Sequence, residues 1–215
     1  MKIEGAIFDV DGTILDSMPT WNHVCEKLLI SEGIEPEPGL GDKLFAVTVE
    51  MGAEYMKENY PLDHYTVQEI MDKVNNMMEE FYKTEAEFKL GAKELIVKLH
   101  KAGVKLTVAS STAEYCVEAA FKRLGILDYF QGLFSCATIG VTKDKPDIFF
   151  MARQLMDTDT EKTWVFEDGL YSIKTAKAEG FKIVGVYDAV SEKDQEDIKK
   201  YSDIYLKDIR EFDLV

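Results

Sequence analysis

From Lys89 onward, helical periodicity and short apolar runs take turns along the chain, and that alternation limits the available folds more than any other feature. A helical stretch runs to Gly103, and the apolar run Val104 to Ala109 follows it. Next come a helix from Thr112 to Gly125 and a short run at Leu133 to Cys136. Beyond Pro146 the order is a helix, the run Thr163 to Phe166, a helix ending at Gly180, the run Lys182 to Val186, and a helix begun by Ser191 with Asp194. Strands apolar throughout are buried on both faces, and strands separated by helices pair in parallel. The expected fold class is therefore α/β, a doubly wound parallel sheet with helices on both faces.

Ile3 to Phe8 is a further short, mostly apolar run, and it stands apart from the others. Between Asp16 and Phe88 the period is helical almost throughout, broken at Gly33, Pro36, Pro38 and Gly39 and again at Tyr60-Pro61. Three helices are expected there. The best defined starts at Thr66, with Glu69 three residues on as a capping box, and carries Ile70, Met71, Val74, Met77, Met78, Phe81 and Tyr82 on one face as core. The domain reading is an α/β core from residues 1–15 and 89–215, interrupted after its first strand by a helical cap domain at 16–88. No internal repeat or low-complexity tract appears.

Charge narrows the partners. The 215 residues hold 25 Lys+Arg against 40 Asp+Glu, a formal charge of −15, so phosphate backbones and anionic lipid surfaces are repelled. Nucleic acid and membrane are not expected as partners, and no stretch is long enough to span a bilayer. Cys25, Cys116 and Cys136 are odd in number and form no C-x-x-C, which fits neither a disulfide framework nor a zinc site. With no signal peptide to be drawn at the start, a cytoplasmic protein acting as a monomer is expected.

In doubly wound sheets ligands bind beyond the carboxyl ends of the strands. The first predicted strand delivers Asp9 and Asp11 there, the second Ser110-Ser111-Thr112 at a helix start, and the fourth Glu167 and Asp168 before Gly169. Lys143 and Lys145 lie in the loop after the third. Carboxylates from two strands, hydroxyls and amides at a helix N-terminus, and a lysine make a site for a divalent cation and a phosphoryl group. Electrostatics requires the cation. At an effective dielectric of about 20, two like charges ~4 Å apart repel by roughly 4 kcal/mol, so carboxylates facing a phosphate need a hard positive ion between them. Carboxylate, carbonyl and water oxygens are the ligand set of Mg²⁺. Asp9 and Asp11, two apart, can both reach one phosphorus. One attacks it, while the other protonates the departing alkoxide and then deprotonates the water that breaks the aspartyl phosphate.

Bland readings exist for each of these residues. Asp pairs beside glycine are commonly turns, Thr112 suits a helix cap, lysines are usually solvated, and Ser172 reads as a helix residue. An EF-hand reading of Asp9 to Gly12 fails because the glycine stands at loop position four instead of six.

The ordered set resembles the haloacid dehalogenase superfamily of hydrolases, in its branch of small phosphatases and β-phosphoglucomutase-like enzymes. The first motif is similar to Asp9-Val10-Asp11-Gly12-Thr13 and the second to Val108-Ala109-Ser110-Ser111. The third resembles the loop from Lys143 to Phe149, and the fourth Val165-Phe166-Glu167-Asp168-Gly169 leading to Ala176 and Gly180. The resemblance implies a Rossmann-like core with a helical cap, Asp9 as nucleophile and metal ligand, and Asp11 as general acid/base lending its carbonyl to Mg²⁺. It further implies Ser110, the Ser111 amide and Lys143 on the phosphoryl oxygens, with Asp168 on the metal. Counting back from Pro146 favours Lys143 but leaves Lys145 open, and Gly169 replaces a serine frequent in relatives, with Glu167 as a further candidate ligand. Dehalogenases of the superfamily lack the second aspartate, so the resemblance points to phosphate esters.

The expected activity is Mg²⁺-dependent hydrolysis of a small phosphorylated metabolite, a sugar phosphate-like monoester. The alternative is a β-phosphoglucomutase-type mutase, which must grip a second phosphate. Residues 16–88 hold 5 lysines and no arginine, so Lys43 or Lys57 would have to serve. A receiver or binding protein is a third reading, disfavoured because both Asp9 and Asp11 are present. Trp21 is read as cap packing.

Overall fold

The computed structural model describes residues 3–45 and 47–213. Residues 1, 2, 46, 214 and 215 of the two expected domains lie outside that description. Two compact units divide the chain, one formed by Met1–Asp16 with Ala86–Val215 and the other by Ser17–Glu85.

The larger unit is built on a six-stranded parallel sheet. Its strands are β1 (Gly5–Phe8), β2 (Lys105–Ser110), β3 (Gly132–Ser135), β4 (Thr163–Glu167), β5 (Lys182–Val186) and β6 (Ile204–Leu206), in spatial order 3-2-1-4-5-6. The α/β class follows as expected from runs apolar on both faces. Every residue of β1 and β4 is buried. β6 was not expected, because its three residues are too short to stand out beside the helix that precedes them.

Among the described residues the smaller unit holds four helices, α1 (Met18–Ser31), α2 (Leu40–Phe45), α3 (Val49–Asn59) and α4 (Val67–Thr84). Three were expected, and six-residue α2 is too brief to show a repeat. The Thr66 capping box forms as read. The Thr66 hydroxyl accepts from the Glu69 amide at 3.2 Å while a Glu69 carboxylate oxygen accepts from the Thr66 amide at 2.7 Å. Along α4, Ile70, Val74, Met78, Phe81 and Tyr82 are buried, and Met71 and Met77 are half-buried. Trp21 is part of this packing, its indole N–H donating to the Tyr82 hydroxyl at 2.8 Å.

The larger unit continues with α5 (Ala92–Lys101), α6 (Glu114–Leu124), α7 (Cys136–Ile139), α8 (Asp147–Met156), α9 (Leu170–Ala178) and α10 (Gln195–Tyr201). The expected helix start at Ser191 is corrected: Ala189–Asp194 is a 3₁₀ segment, and α10 begins at Gln195. Asp188 opens that segment, its carboxylate accepting from the Val190 amide at 3.0 Å.

Alternation along β1 sends Ile7 and Phe8 to opposite faces. Ile7 packs with Ile148 and Phe149 of α8, Ile173 of α9 and Ile198 of α10. On the other face Phe8 stacks on its register partner Phe166, ring centres 4.4 Å apart, and Phe212 meets Phe166 edge-on at 5.1 Å. These rings immediately precede Asp9 and Glu167, so the core sets the depth at which both acids leave the sheet. Among the described residues no helix is long and apolar enough to cross a membrane.

Phe166→Ala removes a fully buried ring, and an aromatic-to-alanine cavity costs about 3–5 kcal/mol. Equilibrium urea unfolding should report a loss of that size, and a change under about 1 kcal/mol would refute this account of the core.

Candidate active site

Strand order 3-2-1-4-5-6 means that connections leave β1 toward one edge and β4 toward the other. The crevice between the carboxyl ends of β1 and β4 is the switch point where such sheets bind ligands. Asp9 keeps the sheet pairing one residue beyond β1, its amide donating to the Phe166 carbonyl at 2.9 Å. The chain then folds back, the Val10 carbonyl accepting from the amides of Ile14 and Leu15, both at 2.8 Å. Gly12 takes φ +80°, a left-handed conformation that any β-carbon would disfavour. Its carbonyl accepts from the Lys89 ammonium, which also donates to the Tyr187 carbonyl and Asp188 carboxylate, each at 2.7 Å. Thr13 is buried beneath the turn, and its hydroxyl donates to Asp168 at 3.3 Å.

Asp9, Glu167 and Asp168 converge at this point. All three are buried, and one oxygen from each lies within 4.8 Å of the other two. Lys143, only 2% exposed, bridges two of them, donating to Asp9 Oδ1 and, at 2.9 Å, to Glu167 Oε2. Glu167 is held further by the Ser172 hydroxyl at 2.6 Å and the Gly169 amide at 3.0 Å. Of the two candidate lysines the structure brings in Lys143 and leaves Lys145 exposed.

One ammonium cannot neutralise three buried carboxylates. Burial first, and then the charge of Glu167, push Asp9 up to about 8 despite the opposing pull of Lys143. Burial and the charges of Asp9 and Glu167 hold Asp168 well above the usual carboxylate range. Burial acts to lower the Lys143 pKa, but Asp9 and Glu167 outweigh it and raise it well above its ordinary value. A site of oxygen donors with surplus negative charge fits a hard divalent cation. Asp9 and Asp168 are the better placed carboxylates, since the Glu167 oxygens already accept from three donors.

Asp11 belongs to the same field, its charge adding to the repulsion on Asp9. One of its oxygens, Oδ2, accepts from the Thr112 hydroxyl at 2.6 Å. This corrects the reading of Thr112 as a helix cap. Ala113 occupies the cap position of α6, with no side-chain cap bond. The Ser110 hydroxyl, buried at the end of β2, accepts from the Thr112 amide at 3.0 Å. Ser111 is exposed, with the Tyr171 phenol and the Cys136 thiol facing its side chain. Burial, and then the charge of Glu167, push that phenol up to about 12.

Ser172, Lys89, Asp188 and Tyr171 were missed by sequence reasoning, and Thr112 was assigned elsewhere. Their roles depend on partners far away in the chain, and none stands in a distinctive local pattern. Gly169 has a local explanation: a β-carbon there would lie 3.1 Å from Glu167 Oε1 and 3.4 Å from the Tyr171 ring.

The family model for haloacid dehalogenase-like hydrolases matches residues 6–186. The chain is 26% identical over 200 residues to the Arabidopsis thaliana chloroplastic protein SUPPRESSOR OF QUENCHING 1, covering 89% of this chain but only 18% of that longer one. It is 22% identical over 191 residues to a phosphorylated carbohydrates phosphatase of Thermotoga maritima, with 88% of each chain covered. A crystal structure from Thermotoga maritima, provisionally assigned as a β-phosphoglucomutase, superposes with TM-score 0.82 at 20% identity, over 95% of this chain and 94% of that one.

The raised Asp9 makes a prediction about pH. Its folded value near 8 lies above the 3.8 of an ordinary aspartate, so its contribution to stability is fully present below 3.8 and is lost as pH rises through 8. With a chelator present, the denaturation midpoint should fall between pH 6 and pH 9, and fall less in Asp9→Asn. Equal slopes would refute the charge surplus.

Proposed function

The chain belongs to the haloacid dehalogenase-like hydrolase family, and from that premise we propose that it is a Mg²⁺-dependent phosphatase of a small sugar phosphate-like monoester, working through phosphorylated Asp9. The observation that carries this reading is the surplus of buried carboxylates around a single lysine at the switch point, with Asp11 in their field. The relative whose name specifies phosphorylated carbohydrates supports the substrate class.

A bound Mg²⁺, held by Asp9, Asp168 and the Asp11 carbonyl, would offset the charge of these carboxylates and of the phosphoryl oxygens. The Asp9 carboxylate attacks phosphorus, and the bond to the leaving oxygen breaks as Asp11 gives that oxygen its proton. Asp11, now ionised, takes a proton from water, whose oxygen attacks the same phosphorus and releases phosphate from Asp9. Lys143 with Ser110 and the Ser111 amide holds the phosphoryl oxygens throughout.

The fold shared with the β-phosphoglucomutase-type structure raises mutase chemistry as a second reading. Both lysines that could stand in for a missing cap arginine are already engaged. Lys43 donates to Glu37 at 3.0 Å and to Tyr55, and Lys57 donates to the Tyr65 carbonyl. Hydrolysis is therefore the favoured reading.

Screening hexose and smaller sugar monophosphates should reveal Mg²⁺-dependent phosphate release that chelation abolishes. Asp9→Asn should lower kcat roughly 10³-fold or more, with Asp168→Asn weakening Mg²⁺ activation. Undiminished turnover in Asp9→Asn would defeat the mechanism. Supplying β-glucose 1-phosphate with a bisphosphate primer tests the second reading, since rapid glucose 6-phosphate formation with little free phosphate would replace hydrolysis by mutase activity.

A further inference from the structure

We propose that Thr112 is a positioning residue for Asp11, fixing the carboxyl group that shuttles the proton. This inference rests on the phosphatase reading and adds a residue to it. Its hydroxyl donates to Asp11 Oδ2 at 2.6 Å across 101 positions of sequence. Thr112 is itself tied at each remaining polar group. Its amide donates to the Ser110 hydroxyl at 3.0 Å, and its carbonyl accepts from the buried Ser135 hydroxyl at 2.8 Å. The residue is 7% exposed, so its rotamer is set by the ends of β2 and β3.

Helix capping would have been the ordinary use for this hydroxyl. Here the cap position, one residue later, is held by Ala113, which has no side-chain oxygen. The Thr112 hydroxyl makes a long-range bond to the acid.

The chemistry explains what the bond can do. The hydroxyl can donate to Oδ2 both when Asp11 is a carboxylate and when it is an acid carrying its proton on the other oxygen, Oδ1, where that proton is placed to pass to the leaving oxygen. One anchor therefore serves both forms through which Asp11 passes: acid before the leaving oxygen is protonated, base before water attacks. Asp11 sits past a turn built on Gly12, and a carboxyl group there has rotamers to search unless something holds it. Misplacement by about 1 Å can cost on the order of 10²-fold in rate.

The test separates holding the acid from holding the fold. Thr112→Val keeps the shape and removes the hydroxyl, and Thr112→Ser keeps the hydroxyl. Leaving-group release is measured in single turnover with enzyme in excess, so that only formation of phospho-Asp9 is read. Two probes are used: an alkyl monophosphate taken from the metabolite screen, whose leaving oxygen needs a proton, and 2,4-dinitrophenyl phosphate, whose leaving group does not. Thr112→Val should slow release about 10- to 100-fold with the alkyl ester and less than about 3-fold with the dinitrophenyl ester, with Thr112→Ser close to wild type on both. Equal losses on both esters, no loss on the alkyl ester, or no recovery in Thr112→Ser would overturn the role given to Thr112 while leaving the phosphatase reading intact. A wild type inert toward both esters would instead remove the phosphatase reading, and this inference with it.

Discussion

The larger unit is organised around one ammonium among buried carboxylates. Lys143 reaches the ends of β1 and β4 together by donating to Asp9 and Glu167, and Asp168 stands beside them with the charge of Lys89 only partly offsetting its burial and the repulsion of Asp9 and Glu167. Burying several acids is expensive unless they are paired, and here the pairing is incomplete. That deficit raises Asp9 and Asp168, and it makes the site receptive to further positive charge. A fold selected for stability alone would have placed apolar side chains there.

The backbone around this cluster is correspondingly overdetermined. Phe8 and Phe166 stack directly beneath Asp9 and Glu167, so the two acids inherit the rigidity of the sheet. The turn carrying Asp11 lies outside the six-stranded ladder, and it is held by an isolated bridge between Asp11 and Leu15, by Gly12 at positive φ and by Lys89 on the Gly12 carbonyl. Lys89 draws in Asp188 and Tyr187 from the end of β5, tying a third strand end to the same turn. Precision at the site thus comes from aromatic packing on one side and charge-assisted hydrogen bonds on the other.

Much of this was legible in the residues. The mostly apolar runs at β1, β2, β4 and β5 are buried along nearly their whole length, which only a sheet covered on both sides accommodates. The Thr66 and Glu69 pair marks the start of α4 because a capping box is satisfied within four residues. Other positions misled for the same reason. Thr112 and Ser191 both look like helix caps in their local sequence, yet the first gives its hydroxyl to Asp11 and the second lies inside a 3₁₀ segment begun by Asp188. Ser172 looks like any helix residue and in fact donates to Glu167.

The order of strands and acids along the chain suffices to derive the fold class, the family resemblance and the set of acids at strand ends, because hydrophobic period and turn chemistry act over a few residues. Which lysine enters the site, how far the acids are pushed from their ordinary titration, and where the hydroxyls of Thr112 and Ser172 are directed were decided only by the tertiary structure. Each of those depends on groups separated by many residues being brought to within a few ångströms of one another out of water, where Coulomb and hydrogen-bond energies become large enough to choose between alternatives that the local sequence leaves equal.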